Sequence, residues 1–300
     1  MEGSAAPYRI DKTVYRKFDE RENVFGRLVH DRDAPFYQKS MYANVASVLA
    51  RELHGYSRIE FAKALASWTV YDYFNDAFSW EKLSNAHSVM EKAEMVPLAI
   101  DNHEALREEI KQTAKAYGAD LVGIARRDDR WIYSHDISGK VITIPDSFQS
   151  VIVMAIAMDP ETLRKSPAFA ACYATGIAYS KMAFCISCLA EFIRYLGHKA
   201  IPMGNDTMLS IPLAIDAGLG ELGRNGLLIT SRYGPCVRLC KVFSDLPLDP
   251  DKPIAFGVHE FCKRCTKCAD ACEADAIQTE PEPSFKVVSR SNNRGICRWR

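Results

Sequence analysis

Four cysteines within eleven residues, Cys262-x-x-Cys265-x-x-Cys268-x-x-x-Cys272, form the pattern in this sequence most able to do chemistry. The spacing is that of a bacterial ferredoxin [4Fe–4S] motif: three thiolates close round one cube, and the fourth, expected at a helix start, points to a second cluster. Zinc is the rival, but structural zinc sites favour two separated pairs over four ligands so tightly grouped. Two features depart from the ferredoxin pattern. Glu273 follows the last cysteine where proline is usual, and Cys297 is the only cysteine further on. The fourth ligand for Cys262, Cys265 and Cys268 is therefore open between Cys272, Cys297 and a residue outside this sequence.

All ten cysteines lie at or after Cys172. Disulfide frameworks staple small secreted domains throughout, whereas 300 residues that are 48% hydrophobic can bury a core unaided. Metal chemistry is the better reading of the crowding. Cys172, Cys185 and Cys188 on a predicted helix read as buried thiols. Cys236 and Cys240 flank Arg238 on a predicted strand and leave a minor option of ligation. Lys plus Arg equals Asp plus Glu at 38 each, which argues against a nucleic-acid grip. The longest apolar run, Val151 to Met158, falls well short of the roughly 20 residues a membrane helix needs. The first residues show neither a basic n-region nor an apolar h-region, so no signal peptide is expected there.

Three regions must position this chemistry: an arm and helical region over 1–100, an α/β domain over 101–250 and an iron–sulfur segment over 251–300. Residues 1–45 read as an extended arm. Between Met41 and Phe78 apolar residues recur at helical spacing. Aromatics cluster there, and Trp68, Tyr71 and Phe74 read either as packing core or as the wall of an apolar pocket. Asp101 or Asn102 caps a helix to about Tyr117, ended by Gly118. Strands are expected at 120–125, 150–157, 199–203 and 237–243, and helices at 169–196 and 206–217. Alternating helix and strand imply an α/β (α+β) fold, and Pro247, Pro250 and Pro253 mark a linker.

Gly218-x-Gly220-x-x-Gly223 matches the dinucleotide fingerprint by letter but follows a helix rather than a strand, so the context fails. A backbone approaching another large cofactor, or a plain tight turn, is the better reading. The sequence also lacks Asp-x-His-x-x-Gly, a motif that supplies a histidine ligand to a corrinoid; Asp101-Asn102-His103 begins it, but position 106 is Leu.

Several stretches carry a family resemblance. Tyr179-Ser-Lys-Met182, Ile201-Pro-Met-Gly-Asn-Asp206, the segment from Ile211 to Ile229 and Tyr233-Gly-Pro-Cys-Val-Arg238, with the cysteine motif behind them, resemble the corrinoid-dependent reductive dehalogenases of organohalide-respiring bacteria. The resemblance implies a nitroreductase-like corrinoid domain joined to a ferredoxin-like domain with two [4Fe–4S] clusters in complete members. It implies a cobalamin-type corrinoid held base-off, with Gly218, Gly220, Gly223 and Asn225 at the cofactor. It implies that Co(I) removes halide from a small organohalide, a chlorinated ethene or ethane. Tyr179 matches the family's proton donor, Asn205 a pocket amide and Arg238 the cation beside the tyrosine. A guanidinium within reach of the phenol would stabilise the phenolate and ease donation. Implied partners are an electron donor chain, a small membrane anchor protein and a second copy of the chain, with no nucleic acid. The implied location is the outer face of the cytoplasmic membrane, and the family pattern places a twin-arginine leader before these residues and a second cluster motif after them.

Three alternatives stand beside this reading. Epoxyqueuosine reductase shares the cofactor plan but uses a carboxylate where this chain has Tyr179, and an RNA enzyme should show a basic face. A corrinoid-free electron carrier would not need so large an α/β region. The third is an incomplete, inactive iron–sulfur protein.

Overall fold

The structure, a computed structural model, describes residues 15–33, 37, 45–51, 53–74, 97–273 and 277–279. Its centre is a four-stranded sheet of β1 (Leu121–Arg126), β2 (Ser150–Ala157), β3 (Ala200–Met203) and β6 (Val237–Ser244), in the order β1-β2-β6-β3. Between β3 and β6 in the chain, the short β4 (Glu221–Leu222) and β5 (Leu228–Ile229) form a separate hairpin. Every pairing in the main sheet is antiparallel. The mixed helix-and-sheet class is as expected.

β2 is a continuous apolar run because it is covered on both faces; seven of its eight residues are buried. One face carries a core built with the helices His103–Ala116 and Phe169–Tyr195, including Ile110, Met182, Ile186 and Leu189. The other packs Phe148, Met208, Leu213 and Phe243 beneath the helix Ser210–Asp216. Phe169–Tyr195 is the one described helix long and apolar enough to cross a membrane. Ten of its residues are buried here, so in this fold it is a core helix.

Asn102 caps the helix His103–Ala116 by accepting from the Ala105 N–H. The proline-marked linker is pinned at Asp251, whose carboxylate accepts from Lys111 Nζ and the Ile124 N–H, each at 2.7 Å. This covers the outer edge of β1, which would otherwise present unpaired backbone groups.

Four expectations need correction. The arm is not wholly extended: residues 20–22 form a 3₁₀ turn and Val24–His30 a helix, each capped by an Asp or Asn side chain. The helical pattern after Met41 breaks into the pieces Val45–Leu49, Arg58–Ala66 and Thr69–Phe74, and the second starts at a Ser57–Glu60 capping box. Phe78, the expected end of that pattern, lies outside the described residues. The helix expected from Asp206 begins at Ser210, because residues before it form a loop in which Thr207 is left-handed at φ 69°. Pro212 suits the first turn of that later start. Lastly, Cys272 does not begin a helix; it follows the helix Lys267–Asp270.

Candidate active site

The residues matched to catalysis come from three elements that meet at one end of the sheet. Tyr179 lies midway along the helix Phe169–Tyr195, Arg238 near the start of β6, and Asn205 in the loop after β3. Asn205 Nδ2 donates to the Tyr179 hydroxyl oxygen. The Arg238 guanidinium lies over the Tyr179 ring, 5.1 Å from its centroid. That is a cation–π arrangement, not the side-on pairing with the phenol oxygen that the sequence suggests. Arg238 Nε is buried without a hydrogen-bond partner among the described residues.

Two of the three aromatic candidates join them. Trp68 stacks on Tyr179 with centroids 4.9 Å apart and planes inclined by 28°. Tyr71 meets the same ring edge-on at 4.9 Å. Burial pushes the Tyr71 phenol well above its ordinary range, with Tyr179 nearby adding to the effect. Tyr71 therefore stays neutral. Phe74 ends the helix Thr69–Phe74, and its side chain lies outside the described residues.

Small residues bring this wall onto the long helix. Ser180 Oγ donates to the Ser67 carbonyl at 2.7 Å and accepts from the Tyr71 N–H at 3.3 Å. At Gly176 a Cβ would come within 2.1 Å of Ser67 Oγ and 2.7 Å of Trp68 Cδ1. Only glycine permits that approach without displacement. Trp68 Nε1 donates to Cys172 Sγ at 3.4 Å, which gives that half-buried thiol a local structural part.

The glycine turn packs against protein. Cβ atoms at Gly218 and Gly220 would meet the carbonyl oxygens of Lys252 at 2.6 Å and Ile229 at 2.3 Å, and one at Gly223 would meet Asn225 Oδ1 at 2.8 Å. Asn225 Oδ1 also accepts from the Leu227 N–H. The space a Cβ would occupy at these glycines is filled by the chain itself, so each glycine serves close packing within the protein.

Arg224, which the sequence reading passed over, links this turn to the cysteine segment. Its side chain is buried; Nε donates to the carbonyls of Cys262 at 3.1 Å and Cys265 at 2.9 Å, and another guanidinium nitrogen to Gln278 O at 3.1 Å. Its backbone N–H donates to Cys262 Sγ at 3.4 Å. Glu221 completes the joint by accepting from the N–H groups of Phe256 and Val258.

Cys262, Cys265, Cys268 and Cys272 are half-buried and free of disulfides. Four thiols and an amide N–H aimed at one sulfur suit an iron–sulfur group in donor chemistry. No three His, Cys, Asp or Glu side chains converge into a metal-holding group among the described residues, however. The motif thus supplies donors and spacing but no ligand geometry. Of the three thiols read as buried, Cys185 is buried while Cys172 and Cys188 are half-buried. Cys240 is buried too, and burial raises the pKa of Cys185 and Cys240.

No family model matches the sequence. Over 245 residues the chain is 38% identical to the tetrachloroethene reductive dehalogenase of Dehalobacter restrictus, covering 69% of this chain and 44% of that protein. The tetrachloroethene reductive dehalogenase of Sulfurospirillum multivorans is also 38% identical, over 220 residues, 63% of this chain and 44% of its own length. In structure the chain is similar to the catabolic reductive dehalogenase NpRdhA, with TM-score 0.60, 26% identity and coverage of 72% of this chain and 31% of that one. The chain is a homologue of the reductive dehalogenases. It spans about 44% of the length of the curated relatives named here.

Proposed function

We propose that this chain carries the catalytic pocket of a reductive dehalogenase acting on a small organohalide, a chlorinated ethene or ethane, with Tyr179 as proton donor. The observation that carries the reading is the set around Tyr179: Asn205 on the hydroxyl, Arg238 over the ring face, and Trp68 and Tyr71 against the ring. The named relatives, which act on tetrachloroethene by their descriptions, support the substrate class.

The reaction replaces a carbon–chlorine bond by carbon–hydrogen: two electrons enter, chloride leaves and one proton reaches carbon. A corrinoid and [4Fe–4S] clusters, where bound, would supply the electrons. The chain's own side chains manage the proton. Because Asn205 donates to the Tyr179 oxygen, the phenolic hydrogen is not used in that bond and is available to the substrate carbon. After transfer, the same amide and the cation over the ring stabilise the phenolate. An ordinary tyrosine, with a pKa of about 10, is a weak acid, so this stabilisation is where the pocket assists. The aromatic wall suits an apolar chlorocarbon.

The electrons would arrive from a donor chain, with a small anchor protein holding the enzyme to the outer face of the cytoplasmic membrane. Tyrosine rather than carboxylate at position 179, and a balanced net charge, weigh against a tRNA-modifying activity. The test is chloride release from tetrachloroethene by full-length protein prepared anaerobically with corrinoid, iron, sulfide and a low-potential reductant. One chloride per two electrons is expected. Loaded protein that releases none from chlorinated ethenes or ethanes refutes the reading.

A further inference from the structure

Behind the Tyr179–Asn205 pair lies a lysine that no step so far uses. Lys241 is fully buried in the middle of β6. It sits opposite Met203, the last residue of β3, at the point where the chain leaves the sheet for the loop bearing Asn205. Lys241 Nζ donates to the Gly204 carbonyl at 2.7 Å and to Ser210 Oγ at 3.1 Å. Its hydrogen bonds thus bracket the loop at both ends.

A second residue holds the middle. Tyr133, also buried, donates its hydroxyl to the Asn205 carbonyl at 3.1 Å and its backbone N–H to the Thr207 carbonyl at 2.8 Å. Thr207 itself donates to Asp206 Oδ2 at 2.9 Å and keeps its left-handed backbone. Left-handed backbone in a β-branched residue is strained and persists only where surrounding contacts over-determine it. The loop is therefore gripped at the carbonyls of Gly204, Asn205 and Thr207, and Asn205 Nδ2 reaches from it to Tyr179. The groups that act electrostatically on Lys241 are Asp206, Cys240 and Glu20. A buried ammonium is costly to keep unless it is paired, and Lys241 is partnered by the Gly204 carbonyl, Ser210 Oγ and the charge of Asp206, all on the loop or at its end.

We propose that Lys241 and Tyr133 are positioning residues for the Tyr179–Asn205 pair: through the carbonyls of Gly204, Asn205 and Thr207 they fix the loop that aims the Asn205 amide at the phenol. The proposal rests on the reading of that pair as the working acid and its support.

It is tested in protein labelled with [13Cζ]-tyrosine, the Tyr179 resonance being assigned by its loss in Tyr179→Phe. Asn205→Ala sets the reference displacement. Lys241→Met and Tyr133→Phe should each move the resonance in the same direction, and Lys241→Met combined with Asn205→Ala should move it no further than Asn205→Ala alone. Displacement by Asn205→Ala with none in either positioning variant overturns the proposal, as does additivity in the double variant. Tyr133→Phe removes a single oxygen and decides the matter if Lys241→Met fails to fold. In the loaded full-length enzyme, Lys241→Met should lower kcat about tenfold with KM nearly unchanged. Should turnover survive Tyr179→Phe while the resonance coupling holds, the proton-donor reading falls and the positioning stands.

Discussion

Arg224 and Cys262 are joined twice: the arginine's backbone N–H reaches the cysteine sulfur at 3.4 Å, and its guanidinium reaches the same residue's carbonyl. The bonds tie the glycine turn to the first cysteine of the motif. Arg224→Gln removes the fork that also holds Cys265 and Gln278. Reconstituted protein carrying this change should lose iron to a chelator about tenfold faster or more, the scale expected when support behind a metal ligand is removed. Arg224→Lys should rescue little, because an ammonium cannot span several carbonyls as a planar fork does. Unchanged iron release in both variants would show that the joint does not support the cluster.

Gly176 offers a test of the aromatic wall. By helix propensity alone, Gly176→Ala should stabilise by up to about 1 kcal/mol. The added Cβ would instead sit 2.1 Å from Ser67 Oγ, and overpacking of this kind costs about 1–3 kcal/mol. The steric effect wins, so the urea midpoint should fall. Trp68 fluorescence should change as the indole moves off Tyr179. A more stable Gly176→Ala protein would mean that the helix and the Ser67–Trp68 turn do not approach so closely.

Two groups behind the pocket give opposite pH signatures. Glu20 is raised from 4.5 to about 7, chiefly by burial and then by Asp206. The folded state then holds a proton that the unfolded state releases, so stability falls as pH rises from about 4.5 to about 7. Lys241 is lowered from 10.5 to about 8, again chiefly by burial. The unfolded state there binds the extra proton, so stability rises between about pH 8 and 10.5. Glu20→Gln should remove the first slope and Lys241→Met the second, read from denaturation midpoints across pH. Slopes that persist in both variants would assign the titrations elsewhere.

Arg238 is a cation on a ring face, which separates charge from hydrogen-bond geometry. Arg238→Gln removes the charge and should cost about tenfold or more in turnover, while Arg238→Lys keeps a cation and should fall between. Equal losses in the two variants would point to the orphaned Nε and its bonding to a bound group as the more important feature.

Much of this fold could be read in advance, for local reasons. The run from Ser150 to Ala157 is apolar enough to be a strand covered on both faces, and Asn102 and Gly118 bracket their helix by capping chemistry. The loop at Asp206 could not be read, since it holds a left-handed Thr207 and is tied by Tyr133 and Lys241 from distant parts of the chain. The convergence of Tyr179, Asn205 and Arg238 was suggested by family resemblance rather than spacing. Arg224 left no periodic signal; its partners Cys262, Cys265 and Gln278 lie 38, 41 and 54 residues away. Lys241 did leave one: a lone lysine within an apolar strand is costly unless partnered.

The central claim is that Tyr179 gives the proton. It is tested most directly by Tyr179→Phe in the full-length protein loaded with corrinoid and iron–sulfur clusters, with chloride release and bound cofactor measured on the same sample. The account predicts chloride release reduced by about a hundredfold or more, the range over which positioned acids act, with cofactor content unchanged. Undiminished release from a fully loaded Tyr179→Phe enzyme would contradict it.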